Sequence, residues 1–266
     1  MNTVSEPAPR YEPARDGLLP PQAVRWGIPA AIIGLAVFAA VIVGSSLLST
    51  LSWLPRNDAV GFALMIVFYA VLVAYLFGVS RRRGLGRLSR DFGFELRWVD
   101  LPIGVGLAIL LRILDVVIIG FVLGVLKLPN LPTSNIELPK SFVWAVIVGL
   151  GIASLVAPIV EELYFRGLVM RAIRNFVIRK SRFDGDRTTR RARTISIVVS
   201  GVIFAAGHLY EAKNVTMLVV LGIDILLFGL IAGWIATRTA RLGPSMIMHI
   251  ATNALGTVLA LSAMQR

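Results

Sequence analysis

The sequence contains no cysteine. Disulfides, thiolate nucleophiles and Cys-ligated zinc are therefore excluded together, and cysteine usage carries no information on redox compartment. Charge is scarce too, at 16% Asp, Glu, Lys and Arg, against roughly a quarter in a soluble domain. No repeat of about 20 to 50 residues is evident, which argues against a solenoid. No pair of matching halves is visible either, which argues against an inverted-repeat transporter.

The missing charge is replaced by long apolar runs separated by short Arg-rich connectors. A helix needs about 20 apolar residues to cross roughly 30 Å of hydrocarbon. Runs of that kind are expected at 27–49, 59–79, 99–126, 142–160 and onward, 195–209, 215–236 and 244–263. The fold class that follows is all-α, a polytopic transmembrane bundle of seven spans. Residues 1–22, with Pro7, Pro9, Pro13, Pro20 and Pro21, are expected to form a disordered cytoplasmic tail. N-terminal membrane helices then occupy 23–140 and a second block of membrane helices 141–266. The first run is too long for a signal-peptide core and lacks a small-residue cleavage site, so it stays as a span.

The net charge of +12 raises nucleic acid as a partner, but its distribution points to a bilayer instead. With the N-terminus inside, the cytoplasmic segments (Arg10 to Arg25, Arg81 to Arg97, Arg171 to Arg193, Arg238 to Arg241) hold twenty basic residues. The other face holds five: Arg56, Lys127, Lys140, Lys213 and Arg266. That bias is the positive-inside pattern, with the N-terminus cytoplasmic, and no nucleic-acid binding is expected. The Ala/Arg/Val-rich composition suggests a bacterial plasma membrane.

An ionisable side chain at mid-bilayer costs about 2.5–3.5 kcal/mol on insertion scales, so each one needs a reason. Arg112 and Asp115, three apart, can neutralise each other. Asp224 stands alone in its span and needs a partner from another helix. Glu162 and Arg166 are four apart and face each other on a helix. Glu161 points about 100° away and keeps no counter-ion. One carboxylate is thus held ionised and its neighbour is left free to serve as a general base. The only two histidines, His208 and His249, both lie in apolar spans, and Asn253 follows His249 on the same helix face.

Depth ties these residues together. Glu161 is thirteen residues from Arg174, and His208 thirteen from Ile195, each about 20 Å along a helix. His249 and Asn253 lie six and ten residues from Gly243, or about 9–15 Å. All four can meet roughly 10–20 Å below the cytoplasmic surface. The run from Phe142 to Arg174 is too long for one straight span, and Pro158, after Gly149 and Gly151, is expected to break or kink it.

Three strings, Glu161-Glu162-Leu163-Tyr164-Phe165-Arg166, Phe204-Ala205-Ala206-Gly207-His208 and His249-Ile250-Ala251-Thr252-Asn253, resemble the signature motifs of the CAAX-processing and bacteriocin-processing (CPBP, or Abi) membrane proteases. Gly229, Gly233, Arg238, Thr239 and Pro244 resemble that family's approach to its last helix, and the likeness spans about 141–260. The resemblance implies peptide-bond hydrolysis inside the membrane. Glu161, helped by His208, would activate a water, His249 and Asn253 would stabilise the oxyanion, and Glu162, Arg166 and Phe204 would support them. A zinc enzyme with Glu161, His208 and His249 as ligands uses the same side chains and stays open, although no cofactor is favoured. A non-catalytic immunity or scaffold protein and a proton-coupled transporter are the other classes. The partners implied are the lipid bilayer and a peptide or protein substrate.

Overall fold

The computed structural model describes residues 18–128, 138–181 and 185–265. Its elements are helices α1 (Ile28–Ser49), α2 (Asp58–Arg83), α3 (Leu88–Phe92), α4 (Asp100–Leu126), α5 (Phe142–Lys180), α6 (Asp186–Ala206), α7 (Val215–Thr239) and α8 (Gly243–Met264). Among the described residues, six of these are long and apolar enough to span a bilayer, and α1 contributes a shorter apolar stretch, Ile28–Gly44. The protein is an all-α, multi-span membrane bundle. The short α3 lies in the connector between α2 and α4.

Polar caps and apolar faces explain the helix limits. The Asn57 side chain accepts from the Val60 N–H at 3.0 Å and opens α2, and Asn214 accepts from Met217 N–H at 2.8 Å and opens α7. Such caps satisfy amides that the first helical turn leaves without partners. Large apolar side chains such as Ile109, Val116, Val117 and Phe121 stand exposed on α4, as expected of a surface that meets lipid chains.

The four basic connectors meet at one end of the bundle. Arg25 N–H donates to Arg83 O at 2.7 Å. Arg174 donates to Leu19 O at 3.1 Å, and Arg179 to Val24 O at 3.1 Å and to Pro21 O. Arg171 donates to Ala240 O at 3.1 Å, and Leu242 N–H to Gly93 O at 2.8 Å. Arg241 grips Asp100 with Nη2 at 2.5 Å and Nε at 3.1 Å from Oδ1, and that carboxylate pushes the guanidinium pKa up. Arginine suits this role because its planar fork caps several carbonyls at once. These contacts also correct the expected end of the tail. Residues 1–17 lie outside the described residues, but Leu18 is buried, and Pro21–Ala23 form a helical turn held by Arg179.

Two close approaches set the core. A Cβ on Gly229 of α7 would lie 3.0 Å from Gly201 Cα of α6, and a Cβ on Gly104 of α4 would lie 2.5 Å from Ile247 Cβ of α8. Small residues at such crossings let membrane helices pack backbone to backbone. The Gly229/Gly233 pair therefore serves packing within the bundle, with Gly233 meeting Ile197.

Helix α5 departs from expectation. It runs unbroken for 39 residues, which at about 1.5 Å per residue is nearly twice the hydrocarbon thickness. Pro158 does not end it. Instead the helix widens to π geometry over Ile147–Val156, just before the proline, and again over Leu163–Val169. A proline ring clashes with the carbonyl four residues back, and a wider turn relieves the clash without breaking the rod.

Candidate active site

Pro158 fixes more than the shape of α5. In the widened stretch the Ala157 N–H donates to Ile152 O, five residues back, so it does not serve Ala153 O. The next candidate donor for Ala153 O is residue 158, a proline without an N–H. The carbonyl left over accepts Nδ2 of Asn253 from α8 at 2.8 Å. One turn earlier, Gly149 O accepts Ser154 Oγ at 2.7 Å and Thr257 Oγ1 at 3.3 Å. The irregular helix thus presents carbonyls that hold α8 in register. Asn253 keeps a second amide N–H for other partners.

Glu162 and Arg166 form the buried floor. Their side chains are 0% and 1% exposed and meet at 3.0 Å, off the line of a directional hydrogen bond. The guanidinium also lies over the rings of Phe204, at 4.3 Å, and Phe228, at 5.2 Å. Aromatic faces stabilise a desolvated cation, so Phe204 supports the site through Arg166 as well as through its place before His208. Glu162 has a second neighbour: His249 Nδ1 lies 3.4 Å from its Oε1.

Glu161 faces the other way, as its helical position requires. Its Oε2 stands 4.0 Å from Nε2 of His208 and 3.8 Å from Nε2 of His249. The His208 ring is oriented by Nδ1, 2.8 Å from Phe204 O. A carbonyl oxygen can only accept, so Nδ1 carries a proton, and the ring turns its Nε2 toward Glu161. The His249 ring packs on Phe228 with centroids 4.4 Å apart. Helices α5 and α8 and the turn that follows α6 therefore bring the three side chains to one point, with His208 just past the helix end rather than within the span, and α7 supplies the aromatic wall.

The same point lies at the base of a cavity of about 690 Å³. Glu161, His208, His249, Asn253 and Phe204 line it, whereas Glu162 and Arg166 lie behind. The cavity wall also includes residues whose place there sequence reasoning missed: Tyr69, Arg112, Asp224 and Phe228. From the sequence, Arg112 and Asp224 are only polar groups in apolar spans. Arg112 supplies the partner Asp224 required, at 3.3 Å, while also meeting Asp115 at 3.4 Å. The signal that would have placed them is depth, since Arg112 lies twelve residues into α4. Tyr69 and Phe228 carry no such signal, because aromatics in apolar spans are ordinary.

The donor set is more widely spaced than a tetrahedral zinc site. Ligands about 2.0–2.1 Å from a tetrahedral zinc stand about 3.4 Å from one another. The imidazole nitrogens stand 4.0 and 3.8 Å from Glu161 Oε2. Among the described residues, no group of three or more His, Asp or Glu side chains is arranged to hold a metal ion.

The family model described as type II CAAX prenyl endopeptidase Rce1-like matches residues 140–255. This stretch contains all three motifs and every site residue named above except Tyr69, Arg112, Asp115 and Thr257. The segment is homologous to the Rce1-like, CPBP family of membrane proteases. Comparisons with curated proteins and with solved structures give no match.

Proposed function

Proceeding from that homology, we propose that the chain is an intramembrane endopeptidase that hydrolyses a peptide bond with a water activated by Glu161 and His208. The observation that carries the reading is the convergence of one carboxylate and two imidazoles, from α5, α8 and the turn after α6, at the base of a cavity of about 690 Å³.

The separations suit a water better than direct contact. Groups about 4 Å apart are too far for a hydrogen bond, but a molecule about 2.8 Å from each bridges them at an angle of roughly 90°. Glu161 takes the proton of that water as its oxygen attacks the scissile carbonyl carbon, and the His208 lone pair orients the second hydrogen. The peptide C–N bond then breaks as the proton held by Glu161 passes to the leaving nitrogen. Developing charge on the carbonyl oxygen is met by donors from His249 Nε2 and the free N–H of Asn253, which project from one face of α8. For this, His249 must carry a proton on Nε2, and Glu162 beside Nδ1 provides the complementary negative charge. The amino terminus is placed on the cytoplasmic side, with the basic end of the bundle facing inward.

The test is hydrolysis of a peptide library by the purified protein in detergent, with and without exhaustive chelation. The reading expects cleavage that survives chelation. Cleavage that stops on chelation and returns with stoichiometric zinc would replace it with zinc catalysis by Glu161, His208 and His249. No cleavage at all would leave the non-catalytic scaffold.

A further inference from the structure

The cavity has a direction. We infer that it opens on the membrane face opposite the four basic connectors, and that the substrate is a polypeptide presented at that face. The substrate clause rests on the peptidase reading; the access route does not.

The register of the lining residues carries the argument. On α8 they are His249, Thr252, Asn253, Gly256 and Leu259, and none precedes His249. Gly243, the first residue of this helix, is tied to Glu95 O at the basic end. The lining therefore starts six residues in and runs away from that end. On α7, which travels the other way, the lining begins at Met217 near the opposite end and stops at Phe228. On α5 it runs Ala153, Ala157, Glu161 and includes nothing later. On α6 it includes nothing before Phe204. Four helices of alternating direction thus stop lining the cavity at one level. Beyond that level the connection of α6 to α7 contributes Tyr210, Glu211 and Lys213.

Exposure changes in the same sense. His249 is 6% exposed, whereas Leu259 is 48% and Tyr210 68% exposed. On the basic side of the histidines the bundle is filled by Phe165, Phe204, Phe228, Met170 and the Glu162–Arg166 pair, all buried. A fully buried ion pair sandwiched by aromatic rings is an expensive element to open, because separating it leaves buried charge poorly compensated. The floor is therefore a seal, and water and peptide reach Glu161 from the other face. Given the amino terminus on the cytoplasmic side, that face is extracytoplasmic, which favours exported or membrane-anchored polypeptides over cytosolic ones.

The cysteine-free sequence makes the test direct. Thr252→Cys places one thiol on the cavity wall, and Ser89→Cys places one on the exposed basic end. Ala157→Cys is the second cavity reporter should Thr252→Cys fail to fold. Each variant is reconstituted in sealed vesicles of known sidedness and treated with an anionic, membrane-impermeant methanethiosulfonate on either face. The inference expects the cavity thiol to be labelled from the face that leaves Ser89→Cys unlabelled, and expects that labelling to block cleavage. Labelling of both thiols from the same face, or a cavity thiol reached from neither, overturns the access route. Labelling as expected from a protein that hydrolyses no peptide would leave the route standing and overturn the peptidase reading and the substrate clause.

Discussion

At the scale of residues, two adjacent glutamates have different surroundings and so should fail differently. Glu162 is fully buried against Arg166 and His249. Glu162→Gln leaves the Arg166 guanidinium buried without its carboxylate, a loss of about 3–5 kcal/mol for a broken buried pair. Unfolding in detergent should register that loss, and unchanged stability would show that the aromatic faces of Phe204 and Phe228 suffice for the charge. Asn253→Ala should leave substrate binding nearly unchanged while kcat falls by about a hundredfold to a thousandfold, as when an oxyanion donor is removed. A rise in KM with kcat intact would make Asn253 a binding residue. That these side chains form one cluster was legible because charge in an apolar span is rare and must be justified. Their spacing fixed which glutamate pairs with Arg166. The sequence did not show that His249 bridges both glutamates, since that depends on the rotation of α8 against α5.

At the scale of elements, α5 is where sequence reasoning and structure part. Five of the seven apolar runs marked their helices to within a few residues, because the bilayer imposes length, whereas α6 begins nine residues before its run, in the Arg-rich stretch from Asp186. Pro158 was expected to interrupt the fourth. The structure absorbs it in a π-widened stretch whose carbonyls are capped from α8. Local sequence could not reveal this, because the compensation comes from Asn253 and Thr257, about a hundred residues later. The account makes Pro158 a positioning residue. Pro158→Ala returns an N–H that can serve Ala153 O and so releases Asn253. The expected outcome is a fall in kcat larger than any change in KM, with the fold retained and with little further loss when Asn253→Ala is added. Independent, additive effects of the two substitutions would sever the proposed link.

At the scale of the whole molecule, the basic connectors, the chain from Leu18 to Trp26 and the start of α8 form one end, and the cavity lined by Glu161 and the two histidines faces the other. The charge count gave the orientation expectation, and the fold explains how the same arginines also serve as structural ties. A thiol introduced at Ser89 in intact cells should react with permeant reagents and resist impermeant ones. Reaction with an impermeant reagent would invert the bundle. The direction of the cavity was hidden from the sequence, because it depends on which faces of four helices remain unfilled.

The central claim is that Glu161 makes this bundle a peptidase. It is tested most directly by mass spectrometry of new peptide termini in the membrane fraction of cells carrying the wild-type chain or Glu161→Gln at matched abundance. The account predicts a set of termini present with the wild type and lost with Glu161→Gln, the intact parent polypeptides accumulating in their place. Identical termini in both would contradict it.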